Sequence, residues 1–250
     1  METLLYRKDG EIARIIMNRP DRLNAYNSVM LREMKTLLEE ITADDSIKVV
    51  ILSGAGRAFS AGVDLKVTDA EGFQKESFFM EVGDKVMSLF VNMPKVTIAQ
   101  VHGYCFTGAL EMMLFTDLVF CTEDTQFGDT HAKWSLIPRW GMSQRLSRRV
   151  GLVKAKELTF RAMRINGVEA ERIGLVNRAF KAEELEAEVN KIVAEITGNS
   201  FEAIKAIKKL YDDGYATTLK EGLAIEMAAD TKLSNTDEQL GQFAQKKFRN

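Results

Sequence analysis

Two stretches of this chain carry residues whose types and spacing suit proton transfer beside a carbonyl group. They are Arg57-Ala58-Phe59-Ser60-Ala61-Gly62-Val63-Asp64-Leu65 and Gly103-Tyr104-Cys105-Phe106-Thr107-Gly108-Ala109-Leu110-Glu111. In each, glycine-flanked backbone leaves a strand, and the second stretch then starts a helix that carries a carboxylate. Gly62 permits a backbone conformation that turns the Val63 N–H towards a ligand. Gly108 opens the apolar helical pattern at 109–115, and N–H groups at a helix start lack intrahelical partners and favour negative charge. Two such donors aimed at one oxygen would stabilise an enolate. Glu111 follows three residues after Gly108 on nearly the same helix face, among Leu110, Met112, Met113 and Leu114. Burial there would raise its pKa towards the working range of a general acid or base.

Strands must launch these segments and helices must back them. Strand patterns rich in Val and Ile recur at 12–17, 48–53, 96–101 and 118–121. Between them lie helical patterns, the clearest being Met30, Leu31, Met34, Leu37, Leu38 and Ile41, an i, i+3, i+4 stripe behind an N-cap candidate at Ser28. Strands alternating with helices predict the α/β class. From Gly151 onward the strand signals fade and helical patterns follow one another at 153–161, 168–174, 183–196, 201–211, 219–233 and 237–247. Gly198-Asn199-Ser200 reads as a helix stop and restart. The expected division is therefore a mixed core over 1–195 and a helical region over 196–250.

Composition excludes several partners. A net charge of −2, with no lysine or arginine block, argues against nucleic acid or an anionic membrane surface. The apolar runs are too short to span a bilayer. The two cysteines, Cys105 and Cys121, sit in apolar surroundings and read as buried thiols of a reducing compartment. With no basic, apolar leader after Met1, the expectation is a cytoplasmic protein. Two histidines and two cysteines offer no zinc spacing, so no metal is expected. Gly54-Ala55-Gly56 after a strand is not a dinucleotide fingerprint, because Phe59 occupies the third small position.

Together the two segments resemble the signature of the crotonase (enoyl-CoA hydratase/isomerase) superfamily, over nearly the whole chain. The resemblance implies the crotonase fold: a spiral of ββα units with an acyl-CoA site, followed by a helical C-terminal oligomerisation region. It gives Val63 and Gly108 the two oxyanion-hole N–H groups and makes Glu111 the first catalytic glutamate. It places the CoA moiety against the Asn18–Ala25 loop, where Arg22 meets phosphate and the backbone at Ala25 cradles adenine. The carbonyl of Ala61 would contact adenine, and Lys66 would reach a phosphate. The substrate implied is an acyl-CoA thioester. CoA arrives as part of it, with no separate cofactor, and the chain would assemble as a homotrimer or homohexamer. The 243–248 stretch resembles the family's closing basic helix.

At one point the chain departs from the hydratase pattern. Where that pattern carries a second glutamate within Phe-Gly-x-Pro-Glu, this chain reads Phe127-Gly128-Asp129-Thr130-His131. His131 is the expected partner of Glu111, since an imidazole of ordinary pKa near ~6.5 can take or give a proton at neutral pH. Asp129 would point to the opposite side if the segment is extended. Pro138-Arg139-Trp140-Gly141 resembles a family turn, with Arg139 and Trp140 either closing the acyl pocket, meeting a polar acyl group or covering surface. His102 and Asp117 read as structural. Hydration of a 2-enoyl-CoA is the first expectation. The alternatives are double-bond isomerisation by Glu111 alone, β-oxoacyl-CoA hydrolysis with His131, and a non-catalytic acyl-CoA-binding member.

Overall fold

The computed structural model describes residues 1–65 and 77–229, with 233–234, 236–237 and 240–241. The chain forms two compact units, Met1–Lys191 and Ile192–Asn250. Helix α7 (Leu185–Thr197) spans their junction, and the expected division after 195 falls in that same helix.

The first unit begins with β1 (Leu4–Asp9) and β2 (Ile12–Met17), paired antiparallel through a turn in which Gly10 has φ +59°. In β2 the side chains of Ala13, Ile15 and Met17 are buried and their neighbours are not, the period of two that a strand imposes. Helix α1 (Ser28–Ala43) buries all six residues of its apolar stripe. Its cap is Asn27, one residue earlier than expected, whose side chain accepts the Met30 N–H at 2.9 Å. There follow β3 (Val49–Gly54), α2 (Ser77–Asn92), β4 (Val96–Val101), β5 (Tyr104–Phe106), α3 (Gly108–Met113), β6 (Leu118–Thr122) and β7 (Gln126–Gly128). Helices α4 (Met142–Val150) and α5 (Leu152–Phe160), strand β8 (Arg164–Ile165), helix α6 (Gly167–Arg172) and strand β9 (Arg178–Phe180) complete the unit.

One six-stranded sheet runs in the order β1-β2-β3-β4-β6-β9, parallel from β2 onward. A smaller sheet, β5-β7-β8, stands apart from it. The α/β expectation holds, but strands do not end at Gly151. β8 and β9 were missed because two or three residues are too few to carry a period, and β9 gains its place only by pairing with β6. Asp117 does what the sequence suggested. Its carboxylate accepts both the backbone N–H and the hydroxyl of Thr97, locking the start of β6 to β4.

Because β2, β3 and β4 are adjacent and parallel, the loops that follow them leave from one edge of the sheet, where parallel sheets form ligand sites. Buried Asn24 joins the first two of these loops. It accepts the Arg19 N–H at 2.9 Å and donates to the carbonyls of Ala55 and Ala58 at 2.8 and 2.7 Å. The second and third loops join by a parallel bridge between Ser60 and Cys105. His102 serves the same junction, its ring nitrogen 2.8 Å from the Gly56 carbonyl. Gly103, at φ +62°, passes so close that a Cβ there would lie 2.0 Å from the Arg57 carbonyl oxygen.

In the second unit, α8 (Phe201–Tyr215) starts behind a Ser200 cap and α9 (Leu219–Ala228) behind a Thr218–Glu221 capping box. The Gly198-Asn199-Ser200 break lies where expected, between Thr197 and Phe201. The pattern at 237–247 lies largely outside the described residues.

Replacing Asn24 removes a hub whose partners are buried and cannot turn to water. Asn24→Ala is expected to lower the urea midpoint of unfolding by the equivalent of about 2–4 kcal/mol, with an unchanged slope.

Candidate active site

The site is assembled where the loops after β3 and β4 meet. Gly62 has φ +93°, and a Cβ there would sit 2.7 Å from the Phe106 carbonyl oxygen and 3.1 Å from the Gly108 nitrogen. Only glycine allows this approach. The conformation is held on both sides. Ser60 Oγ accepts the Gly62 N–H at 3.1 Å, and Gly62 O and Asp64 N–H form a parallel bridge around Tyr26 at 2.7 and 2.9 Å. A parallel bridge uses the groups flanking its central residue, so the Val63 N–H faces the other way, towards Gly108.

Gly108 is the first residue of α3 and follows Thr107, whose φ of +52° is strained for a side-chain-bearing residue. The strain is held by two contacts with β7 and the loop after it: Thr107 N–H donates to the Gly128 carbonyl, and the Thr107 and Thr130 hydroxyls lie 2.6 Å apart. A Cβ on Gly108 would be 3.5 Å from the Val63 nitrogen and 3.3 Å from the Trp140 ring. Among the described residues neither the Val63 nor the Gly108 N–H has a hydrogen-bond partner, and both residues line one cavity of about 440 Å³. Two donors this close can share one anionic oxygen.

Glu111 lines the same cavity and is 3% exposed. One oxygen, Oε1, accepts the N–H groups of Trp140 at 2.9 Å and Met142 at 3.3 Å. The other, Oε2, faces His131 Nε2 at 3.8 Å. Burial pushes the Glu111 carboxyl above its ordinary range; nearby His131 and the two backbone donors offset this only in part, and the Asp129 charge adds to the rise.

His131 is buried, and here the expectation for Asp129 is corrected. The segment after β7 is not extended: His131 has helical angles (φ −53°, ψ −51°) and opens a 3-10 turn over Ala132–Trp134. Asp129 is thereby folded onto the same side as His131, with Oδ1 2.6 Å from Nδ1 and 3.2 Å from the His131 N–H. Its second oxygen accepts the Thr159 hydroxyl at 2.7 Å, from α5. Burial raises the Asp129 carboxyl, but the hydrogen bonds from His131 and Thr159 outweigh it and hold it below the usual range. The sequence signal that could have found this residue is the Asp-x-His spacing, which suits a side-chain bond once the chain turns.

The cavity brings together Val63, Gly108, Glu111, His131 and Ala61. Arg22 and Ala25 are not in its wall. They lie on the neighbouring loop, tied to Ala61 by the Ala61 N–H donating to Leu23 O at 2.9 Å. Arg22 is exposed, while the Ala25 carbonyl accepts from Arg19, whose other nitrogen pairs with Asp64 at 3.0 Å. Lys66 and the 243–248 stretch lie outside the described residues. Trp140 is buried in the cavity wall, its ring seated where Gly83 of α2 lacks a side chain; Arg139 is exposed at the rim.

Among the described residues no helix is long and apolar enough to cross a membrane. Residues 7–248 match the model of the enoyl-CoA hydratase/isomerase family. The chain is 33% identical over 240 residues to a short-chain-enoyl-CoA hydratase of Clostridium acetobutylicum, covering 96% of this chain and 92% of that protein. It is 32% identical over 229 residues to a crotonyl-CoA hydratase of Syntrophomonas wolfei, covering 91% and 88%. The crystal structure of an enoyl-CoA hydratase from Bacillus anthracis superposes with a TM-score of 0.94 at 28% identity, covering 98% of this chain and 96% of that one. Agreement in fold and in sequence from end to end means that this chain belongs to the enoyl-CoA hydratase/isomerase family.

Proposed function

We propose that the protein hydrates 2-enoyl-CoA thioesters through an enolate. The observation that carries this reading is the convergence of two unpaired N–H groups, at Val63 and Gly108, beside a carboxylic acid and an imidazole 3.8 Å apart. The thioester oxygen is held by the two N–H groups, which act most strongly as it gains charge. The acyl chain lies in the cavity against Met80, Leu136 and Trp140. The 3.8 Å between Glu111 Oε2 and His131 Nε2 is too long for a hydrogen bond, yet one water can reach both. That water adds at the β-carbon and Glu111 exchanges the proton at the α-carbon. Every bond change is met by these groups, water and the acyl thioester, with CoA carried as part of the substrate. The relatives named as enoyl-CoA and crotonyl-CoA hydratases support the substrate class.

For the CoA portion, the loop carrying Arg22 and Ala25 and the backbone at Ala61 are the proposed cradle, with Lys66 as a phosphate contact. A homotrimer, or trimers paired as hexamers, and a cytoplasmic location complete the proposal. The assembly is supported by α8 and α9, which leave Tyr211, Leu219 and Met227 between 75% and 87% exposed in the isolated chain. Sedimentation of the purified protein tests it, the expected mass being three or six chains and a stable monomer overturning it.

In heavy water, crotonyl-CoA is expected to gain one water and one α-deuterium, read by mass spectrometry. Glu111→Gln should lower kcat by about 10²–10⁴. A bond shift or α-exchange without water addition would make the protein a one-base isomerase. Release of free CoA from β-oxoacyl-CoA would make it a hydrolase, and tight binding without turnover a non-catalytic member.

The same substitution carries a stability signature. Folding raises the Glu111 pKa from its ordinary value of 4.5, so the native state takes up a proton there. The stability linked to that proton is fully present below pH 4.5 and is lost as pH rises through the raised value. Glutamine keeps the two backbone hydrogen bonds and never ionises. The melting temperature of Glu111→Gln should therefore gain on the parent's from pH 4.5 towards neutrality, as differential scanning calorimetry would show.

A further inference from the structure

The geometry points to Asp129, itself held by Thr159, as the positioning residue that makes His131 the base and leaves Glu111 the acid; this inference rests on the hydration reading above. Asp129 is 1% exposed and receives three donors: the His131 N–H and ring Nδ1 on one oxygen, the Thr159 hydroxyl on the other. An ionised carboxylate is an acceptor only. Its 2.6 Å contact with Nδ1 therefore requires a proton on Nδ1, which in the neutral ring leaves the lone pair on Nε2. That lone pair faces Glu111 Oε2 at 3.8 Å. Two acceptors opposed in a buried site repel unless one of them carries a proton. With Nδ1 committed to Asp129, one proton serves Nε2 and Glu111 Oε2, and the burial of Glu111 favours placing it on the carboxyl. In the assigned resting state Asp129 is the carboxylate, Nε2 of His131 is bare and Glu111 carries the proton.

The reaction follows in balanced steps. Nε2 takes a proton from water as the water oxygen bonds to the β-carbon. The π electrons of the Cα=Cβ bond move to form the enolate, with its charge on the thioester oxygen. The enolate collapses as Cα takes the Glu111 proton. The imidazolium then returns its proton to Glu111 through the next water, and one water has been added. Asp129 stabilises the imidazolium throughout and is never protonated. Thr159 stops the carboxylate rotating away. Among the described residues, Glu111 and Asp129 are the titratable groups that contact or face the ring, from α3 and the β7 loop, and Arg139 lines the rim of the same cavity.

The chain has only two histidines, so nitrogen-15 NMR reads each tautomer directly. His102, whose Nε2 faces the Gly56 carbonyl, should show the Nε2–H form, and His131 the Nδ1–H form. Asp129→Ala should abolish the Nδ1–H preference at His131 and lower kcat for hydration by about 10²–10⁴ with KM little changed. Thr159→Val should lose about tenfold, and Thr159→Ser should recover it. An Nε2–H tautomer in the parent protein, or an Asp129→Ala variant that keeps both the Nδ1–H tautomer and the parent's kcat, would overturn the assignment. If the parent hydrates nothing, the hydration reading falls, while the His131 tautomer in parent and Asp129→Ala still decides what Asp129 does.

Discussion

Everything in this site depends on two backbones touching without side chains between them. Gly62 and Gly108 bring the loops after β3 and β4 so close that one methyl group on Gly62 would strike the Phe106 carbonyl. The consequence is chemical. Both N–H groups are left over by the bonds that fix their neighbours: the Tyr26 bridge uses Gly62 O and Asp64 N–H, and α3 begins at Gly108. The two donors proposed to hold the oxyanion are thus by-products of how the loops are tied down. Because they belong to the backbone, they cannot turn away when charge arrives, which is the condition for strong electrostatic stabilisation.

Around that contact the fold concentrates charge where it is costly. Glu111, Asp129 and His131 are all nearly excluded from solvent, and two carboxylates beside one imidazole would repel if both were ionised. The structure resolves the conflict by unequal support. Asp129 is given three donors in all, while Glu111 has two backbone donors on one oxygen and an open face on the other. Burial raises both carboxyls, but the hydrogen bonds from His131 and Thr159 outweigh it at Asp129, so the two pKa values move in opposite directions. Pairs of titratable groups pushed apart by their surroundings are how one site holds an acid and a base at the same pH. The strained Thr107 and the buried Trp140 serve this arrangement, one by linking the α3 start to the β7 loop, the other by giving its N–H to Glu111.

Much of this was legible without coordinates. The α1 stripe, the strands β2, β3, β4 and β6, and the glycines before Val63 and Glu111 announce themselves because each follows a period or a turn chemistry that neighbouring residues dictate. The short strands β5, β7, β8 and β9 do not, since two or three residues have no period and are strands only by virtue of a partner. The sequence leaves Asp129 open for a related reason. The direction of a side chain two residues from His131 depends on whether the chain is extended or turned, and a 3-10 turn reverses the answer.

The sequence by itself determined the α/β class of fold, the two glycine segments and the Glu111 helix, because all of these are local properties of residue type and spacing; the resemblance to the family marked His131 as standing where a second glutamate is expected. Tertiary structure alone decided that Asn24 is the hub of the loops, that Thr159 reaches Asp129 from thirty residues away, and that Glu111 is braced by Trp140 and Met142. Those are contacts between segments carried to the same place by adjacent parallel strands. No local pattern encodes them, because the partner that gives each residue its role is supplied by the packing of the sheet.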